Sequence, residues 1–303
     1  MSLRDAPFCV MLTAWEARQM AHQEKNSSEY IYSSSEVSKF YGITIKGMEF
    51  YEEKGIVHPQ RVGQSKIRRF TLSDSYRLYY ARLLRNSGVS IPETLDVLEH
   101  NSFDHAEELL GRHIREMRNA LRVQQRTMEC LERTVNLLRL AEDDEVFCET
   151  IPSGGFYRLF LRRFSGPHES NCEETLEYRS WNDFLPITAA SLRFPLSDCL
   201  KEEGDMDTSI GLIMEEADFK AFDFRESDRT QFIPAGQFVH TIICGPSLRL
   251  CSRDWLRPAL EYIAEKSLRL TGDAFSRLIF VANREGQSMR CDEAWFPVAA
   301  DES

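Results

Sequence analysis

Between Phe103 and Glu142 the chain has no proline, a single glycine (Gly111) and an apolar rhythm that few structures can satisfy. Leu110, Ile114, Met117, Leu121, Gln124, Met128, Leu131, Val135 and Leu138 follow one another at alternating steps of four and three, the spacing of a heptad seam. At ~1.5 Å per residue, about 40 helical residues span ~60 Å, too long to hide inside one domain. The stretch therefore predicts a long coiled-coil dimerisation helix over residues 102–142, joining two domains and pairing with a second copy of the chain. Gln124 is the one polar seam residue and lies midway between Leu110 and Leu138, so it would face its own copy in a parallel or an antiparallel pair. The competing expectation is a core helix packed within one subunit.

A chain of 303 residues leaves room for a domain on either side of that helix, and 42% hydrophobic residues can supply both cores. Eight cysteines are scattered without a CxxC pair or a cluster with histidine at metal-ligand spacing, which predicts reduced thiols, no metal and a cytoplasmic protein. No apolar run approaches the ~18 residues of a membrane helix. The net charge of −11 argues against nucleic acid until it is read locally. From Lys54 to Arg85 eight basic residues stand against one acid, Asp74, so this window carries +7 and the remainder −18.

Residues 1–30 form an N-terminal extension with an apolar patch, Phe8 to Trp15, expected to dock as a short helix. Ser33 with Glu36 is a capping-box pattern that opens a helix through Phe40. Tyr41 and Gly42 make a turn, and Thr44 to Lys54 forms a second helix with Ile45, Met48 and Tyr51 on one side. Gly55 and Pro59 end it. Val62 to Phe70 predicts a basic hairpin, a wing carrying Lys66, Arg68 and Arg69. Thr71 with Asp74 caps a third helix to about Ser87, and Ser90 with Glu93 caps a fourth through His100. Two short helices about a glycine turn, followed by a wing, make a winged helix-turn-helix.

Residues 31–101 resemble the DNA-binding domain of the MerR family of transcription regulators. The likeness rests on Tyr32 to Val37, Gly42-Ile43-Thr44, the run Phe50-Tyr51-Glu52-Glu53-Lys54-Gly55-Ile56 with Pro59, Arg68 and Phe70, and Gly88-Val89-Ser90-Ile91. It implies that Lys46 sits on the recognition helix as a DNA-contacting residue and that Arg68 is the wing arginine. Glu49 stands where an arginine is usual. The expected DNA-facing set is Thr44, Lys46, Glu49, Tyr51, Arg61, Lys66, Arg68 and Arg69, with the basic residues neutralising phosphates. The resemblance also implies an antiparallel pairing of the long helix.

After an acidic break at Asp143 to Glu145, residues 146–303 read as two similar halves. Strands are expected over Val146 to Ile151, Phe156 to Phe164, Leu192 to Pro195 and Ser209 to Met214, around a helix from Glu173 to Leu185. The theme repeats with strands over Phe238 to Cys244, Phe275 to Ala282 and Met289 to Phe296, around a helix from about Ser252 to Leu268. This part is similar to the GyrI-like effector-binding domain, most clearly in the ending Glu293-Ala294-Trp295-Phe296-Pro297-Val298. The resemblance implies a cleft glutamate, Glu293, that binds cationic lipophilic compounds. Trp295, two residues on, shares its strand face, and a carboxylate beside an aromatic ring suits a cation. Tyr157, Phe224, Trp255 and Tyr262 are further candidates to line the cleft.

The fold class expected is thus multi-domain: an all-α winged helix-turn-helix, a long coiled-coil helix and an α+β GyrI-like domain of duplicated β-α-β-β units. No phosphate loop, GxGxxG, HExxH or GxSxG motif is present. The function expected is a cytoplasmic, homodimeric transcription regulator without cofactor that binds promoter DNA, responds to a small cationic or aromatic effector and acts on RNA polymerase indirectly. The alternatives are a GyrI-like hydrolase using Glu293 as base, and a drug-sequestering protein whose DNA-binding part has decayed.

Overall fold

The computed structural model describes residues 32–61, 67–100, 102–142, 147–163, 172–201, 206–247, 252–284 and 286–300. The expectations for residues 1–30, for Lys66 and for the acidic break fall outside these. The chain divides into two compact units, residues 1–118 and 119–303.

In the first unit, β1 (Tyr32–Ser33) leads into α1 (Ser34–Tyr41), whose start is fixed by the reciprocal capping box of Ser33 and Glu36. Gly42, at φ 57°, makes the left-handed turn that a residue with a Cβ enters only under strain. Thr44 then caps α2 (Ile45–Glu53) by accepting from the Gly47 amide. β2 (Gln60–Arg61) and β3 (Arg68–Phe70) form the wing, with β1 paired on the other edge of β3. α3 (Leu72–Asn86) is capped by Thr71 and Asp74, and α4 (Ile91–His100) by Ser90 and Glu93. Val37, Met48, Ile56, Phe70 and Leu78 are fully buried where α1, α2, α3 and the wing meet.

α5 runs unbroken over Phe103–Glu142. It presents two stripes. The seam residues Ile114, Met117, Leu121, Met128, Leu131 and Val135 are exposed, Leu121 at 66%. Offset by two positions, Arg126, Cys130, Arg133 and Leu137 face the second unit's sheet, and Cys130 and Leu137 are buried. At its start Leu109 is buried and Leu110 packs beside it against Leu84, Val89 and Val97.

The second unit is built on a nine-stranded antiparallel sheet. Its strands are β4 (Cys148–Ser153), β5 (Phe156–Arg163), β6 (Ala189–Phe194), β7 (Ser209–Glu215), β8 (Thr230–Ile233), β9 (Gly236–Pro246), β10 (Leu268–Leu270), β11 (Ala274–Arg284) and β12 (Gln287–Ala300). The order is β4-β9-β12-β11-β6-β7-β5-β8, with β10 on β12. Its centre is symmetric: β5-β7-β6 mirrors β9-β12-β11. Each half is one β-α-β-β unit, with α6 (Cys172–Asn182) in the first, while a 3-10 turn (Arg253–Trp255) and α9 (Arg257–Glu265) serve the second. Between them lie α7 (Leu196–Cys199) and α8 (Glu216–Ala221).

Two expectations are corrected here. The helix assigned to Ser252–Leu268 stops at Glu265, because the chain turns through Ser267 at positive φ and Leu268 opens β10. The thiols are not all free: Cys244 and Cys291 face each other across β9 and β12 and form a disulfide. A separation of 47 residues hid a pairing that only strand register creates.

Candidate functional site

Alternation divides the sheet's side chains between two faces. On one, Leu192, Phe194, Val239, Ala294 and Phe296 pack under Trp255 and α9, and Tyr157, Leu159 and Leu212 pack under Trp181 of α6. Tyr157, Phe224, Trp255 and Tyr262 all belong to this helix-covered side. They do not join Glu293: Tyr157 is one residue out of phase with Phe156, which does reach the Glu293 face.

The other face carries an aromatic cluster. Phe156 lies 5.1 Å from both Phe275 and Trp295, and Phe275 stacks on Trp295 at 5.5 Å. Glu293, 1% exposed, sits beside it. Its Oε1 accepts from His240 Nε2 at 2.8 Å and from Arg133 Nη2 at 2.6 Å. Arg133 also donates to Glu215 at 2.8 Å, and its guanidinium lies 5.5 Å from the Trp295 ring centroid, a cation–π distance. About two turns earlier, Arg126 bridges Glu215 and Asp218. Glu293 Oε2 is buried without a hydrogen-bond partner among the described residues. Burial opposes the Glu293 charge, but the His240 hydrogen bond and the Arg133 charge outweigh it and hold the carboxyl below its ordinary range. Burial likewise pulls His240 down, yet its bonds to Glu293 and Glu149 leave it raised. The cluster is therefore a carboxylate clasped by an imidazole and a guanidinium, an arrangement that favours the protonated ring. Sequence reasoning placed Glu293 and Trp295 here and missed Arg133, His240 and Glu215. The second α5 stripe, at steps of four, three and four, was the signal for Arg133.

On the first unit, Lys46 is exposed near the start of α2, and Thr44 serves as its cap. Tyr51 packs against the core. Glu49 accepts from Arg68 Nη1 at 3.1 Å, while Glu52 takes Arg68 Nε at 2.6 Å and Arg61 Nη2 at 3.0 Å. The recognition helix thus holds the wing arginines through its own carboxylates, which gives Glu49 a structural reason to be acidic. One group has metal-ligand spacing among the described residues, Asp96 with His100 and His105. The Asp96 carboxylate is already engaged by both rings, at 2.9 and 2.6 Å.

The profile of the MerR HTH family regulatory protein matches residues 32–100. Residues 32–100 form a MerR-type helix-turn-helix domain. The chain thus carries a MerR-type helix-turn-helix domain, continued through α5 into an antiparallel-sheet domain. No curated protein matches the chain. Among solved structures, it is similar to EcmrR in a cryo-EM EcmrR–DNA complex, at 19% identity and TM-score 0.36 over 89% of this chain and 100% of that one. The MerR-family regulator HiNmlR bound to promoter DNA is similar at 19% and 0.27, over 37% of this chain and 89% of that one. A hydrolase encoded by lin2189 from Listeria innocua is similar at 10% and 0.33, over 53% and 96%. The MerR assignment rests on the family profile and on the caps and wing described above. Among the described residues no helix is long and apolar enough to cross a membrane.

Proposed function

We propose that the protein is a cytoplasmic MerR-type regulator that binds promoter DNA as an antiparallel homodimer and releases or engages a transcription-active state when a small aromatic cation enters its C-terminal domain. The observation that carries this reading is the Arg133 guanidinium on Glu293 and Trp295. The site already holds a planar cation, and that cation is supplied by the dimerisation helix. An effector of the same chemistry would compete with Arg133 and gain the unpartnered Glu293 Oε2. Its differential affinity for the Arg133-free state would then bias α5. The exposed seam from Ile114 to Val135 supports pairing of α5 with a second copy. The effect on RNA polymerase follows from how the paired heads hold the promoter. Lys46, Arg69 and the wing arginines are the proposed phosphate and base contacts. A glutamate held charged under an arginine is a poor general base, which weighs against the hydrolase alternative.

The test is footprinting of the full-length protein on its own upstream DNA with and without benzamidinium, a planar cation that matches a carboxylate in two-point fashion. Protection that changes with benzamidinium is expected, together with roughly tenfold tighter benzamidinium binding by Arg133→Met. No protection at low salt would remove the regulator reading, and unchanged affinity in Arg133→Met would remove the competition. Cysteine at Leu110 is expected not to crosslink across an antiparallel dimer, whereas cysteine at Gln124 should. At the DNA end, Glu49→Gln frees one Arg68 donor. It should raise DNA affinity severalfold and steepen the logarithmic salt slope by up to ~1.

A further inference from the structure

Arg158, on β5, is among the largest side chains the protein buries completely, at 1% exposure. A buried guanidinium is normally met by a carboxylate, because the charge loses its water. Here Nε donates to Ser191 Oγ at 3.1 Å, and Nη2 to the carbonyls of Ser209 at 2.8 Å and Ser191 at 3.4 Å, all neutral acceptors. No carboxylate pairs with Arg158 among the described residues, and Nη1 has no hydrogen-bond partner there. Burial, with the nearby Arg193 charge, pushes its pKa down to about 9, so it is still a cation at neutral pH.

The duplicated fold explains the missing counter-ion. Aligning Phe156 with Phe238 places Arg158 where the second half has His240, and Gly211 where it has Glu293. The carboxylate that answers His240 is thus replaced by a glycine under Arg158. A Cβ at Gly211 would lie 3.1 Å from the guanidinium carbon and would collide with the Leu159 carbonyl, so no side chain can return there.

Arg158 lines a cavity of about 210 Å³. Phe238, Phe275, Ile233 and Pro297 supply apolar walls, and Arg193 and Asp273 lie at its polar end. Asp273 is taken by Arg193, at 2.7 Å, and accepts the Leu196 amide, so two guanidiniums and one carboxylate leave one positive charge uncompensated. An apolar cavity of ~150 Å³ is enough to hold benzene. We propose that this cavity binds a small organic anion, an aromatic or alicyclic monocarboxylate, with its carboxylate on Arg158 and its ring against Phe238 and Phe275.

The experiment titrates the full-length protein with sodium benzoate and with benzyl alcohol, which keeps the ring and lacks the charge, at constant ionic strength. Benzoate is expected to bind at least tenfold more tightly. Arg158→Met should abolish that preference, and Gln231→Trp, at the exposed rim, should block both compounds without disturbing the core. Equal affinity of the wild-type protein for the two compounds overturns the proposal. So does benzoate binding that survives Gln231→Trp, a readout that stands even where Arg158→Met does not fold. Glu293→Gln and Arg133→Met should leave benzoate affinity within twofold, which separates this site from the cation site proposed above.

Discussion

The two halves of the C-terminal sheet share a topology, and a carboxylate present in one is missing at the matching position of the other. In the second half His240 meets Glu293, and an arginine from α5 completes the cluster. In the first half Arg158 stands over Gly211, and no carboxylate hydrogen-bonds to it among the described residues. Both residues lie two positions beyond a phenylalanine, Phe156 or Phe238, that packs on Phe275. The difference shows how a duplicated fold acquires two chemistries. The aromatic floor is common to both, and two changes at matching register positions, arginine for histidine and glycine for glutamate, alter the charge above it.

The largest expected effect comes from trying to erase that difference. Gly211→Ala puts a Cβ against the Leu159 carbonyl and the Arg158 guanidinium, and should cost ~3 kcal/mol by overpacking. Urea midpoints of the two proteins measure it, and a loss below ~1 kcal/mol would mean that β5 and β7 part easily and that the glycine is not required by space.

A smaller loss is expected on the acidic side. Glu293→Gln keeps volume and one acceptor but strips the charge facing His240 and Arg133. Because Arg133 is about one-third exposed and retains Glu215, the cost should be ~1–2 kcal/mol, below the usual cost of breaking a fully buried pair. The same variant should abolish benzamidinium binding in calorimetry. If stability fell and binding persisted, Glu293 would be a structural clasp and the effector would sit elsewhere.

How much of this was legible follows from how local each signal is. Ser33 with Glu36, Thr71 with Asp74 and Ser90 with Glu93 announced three helix starts, since a capping box closes within three residues. The ends of α5 were legible because the seam is periodic. Glu293 and Trp295 were legible as a pair on one strand face. Which aromatics joined them was not, because Tyr157 and Phe156 differ only in parity, and parity has meaning only once β5 is in register with β7. Arg133 lies 160 residues from Glu293, and Cys244 from Cys291 is likewise a matter of strand pairing. Arg158 did leave a trace, a charge inside the apolar run Phe156-Tyr157-Arg158-Leu159-Phe160.

The smallest effect is also the one that separates the halves most cleanly, their response to pH. His240 is raised in the folded protein, so its contribution is fully present below its unfolded value of ~6.5 and fades as pH climbs through the folded value. Glu293 is lowered, so its contribution is present above its unfolded value of ~4.3 and fades as pH falls through the folded one. Between roughly pH 4.5 and 6.5 both are charged and the acidic half is at its tightest. Arg158 stays protonated throughout that window, so the cationic half should contribute no slope there. Urea midpoints measured from pH 5 to 8 should therefore decline on the alkaline side in the wild-type protein. His240→Gln should flatten that decline, while Arg158→Met should shift the whole curve and leave its shape intact. An alkaline decline that survives in His240→Gln would assign the titration to another group and leave the clasp on Glu293 to Arg133 alone.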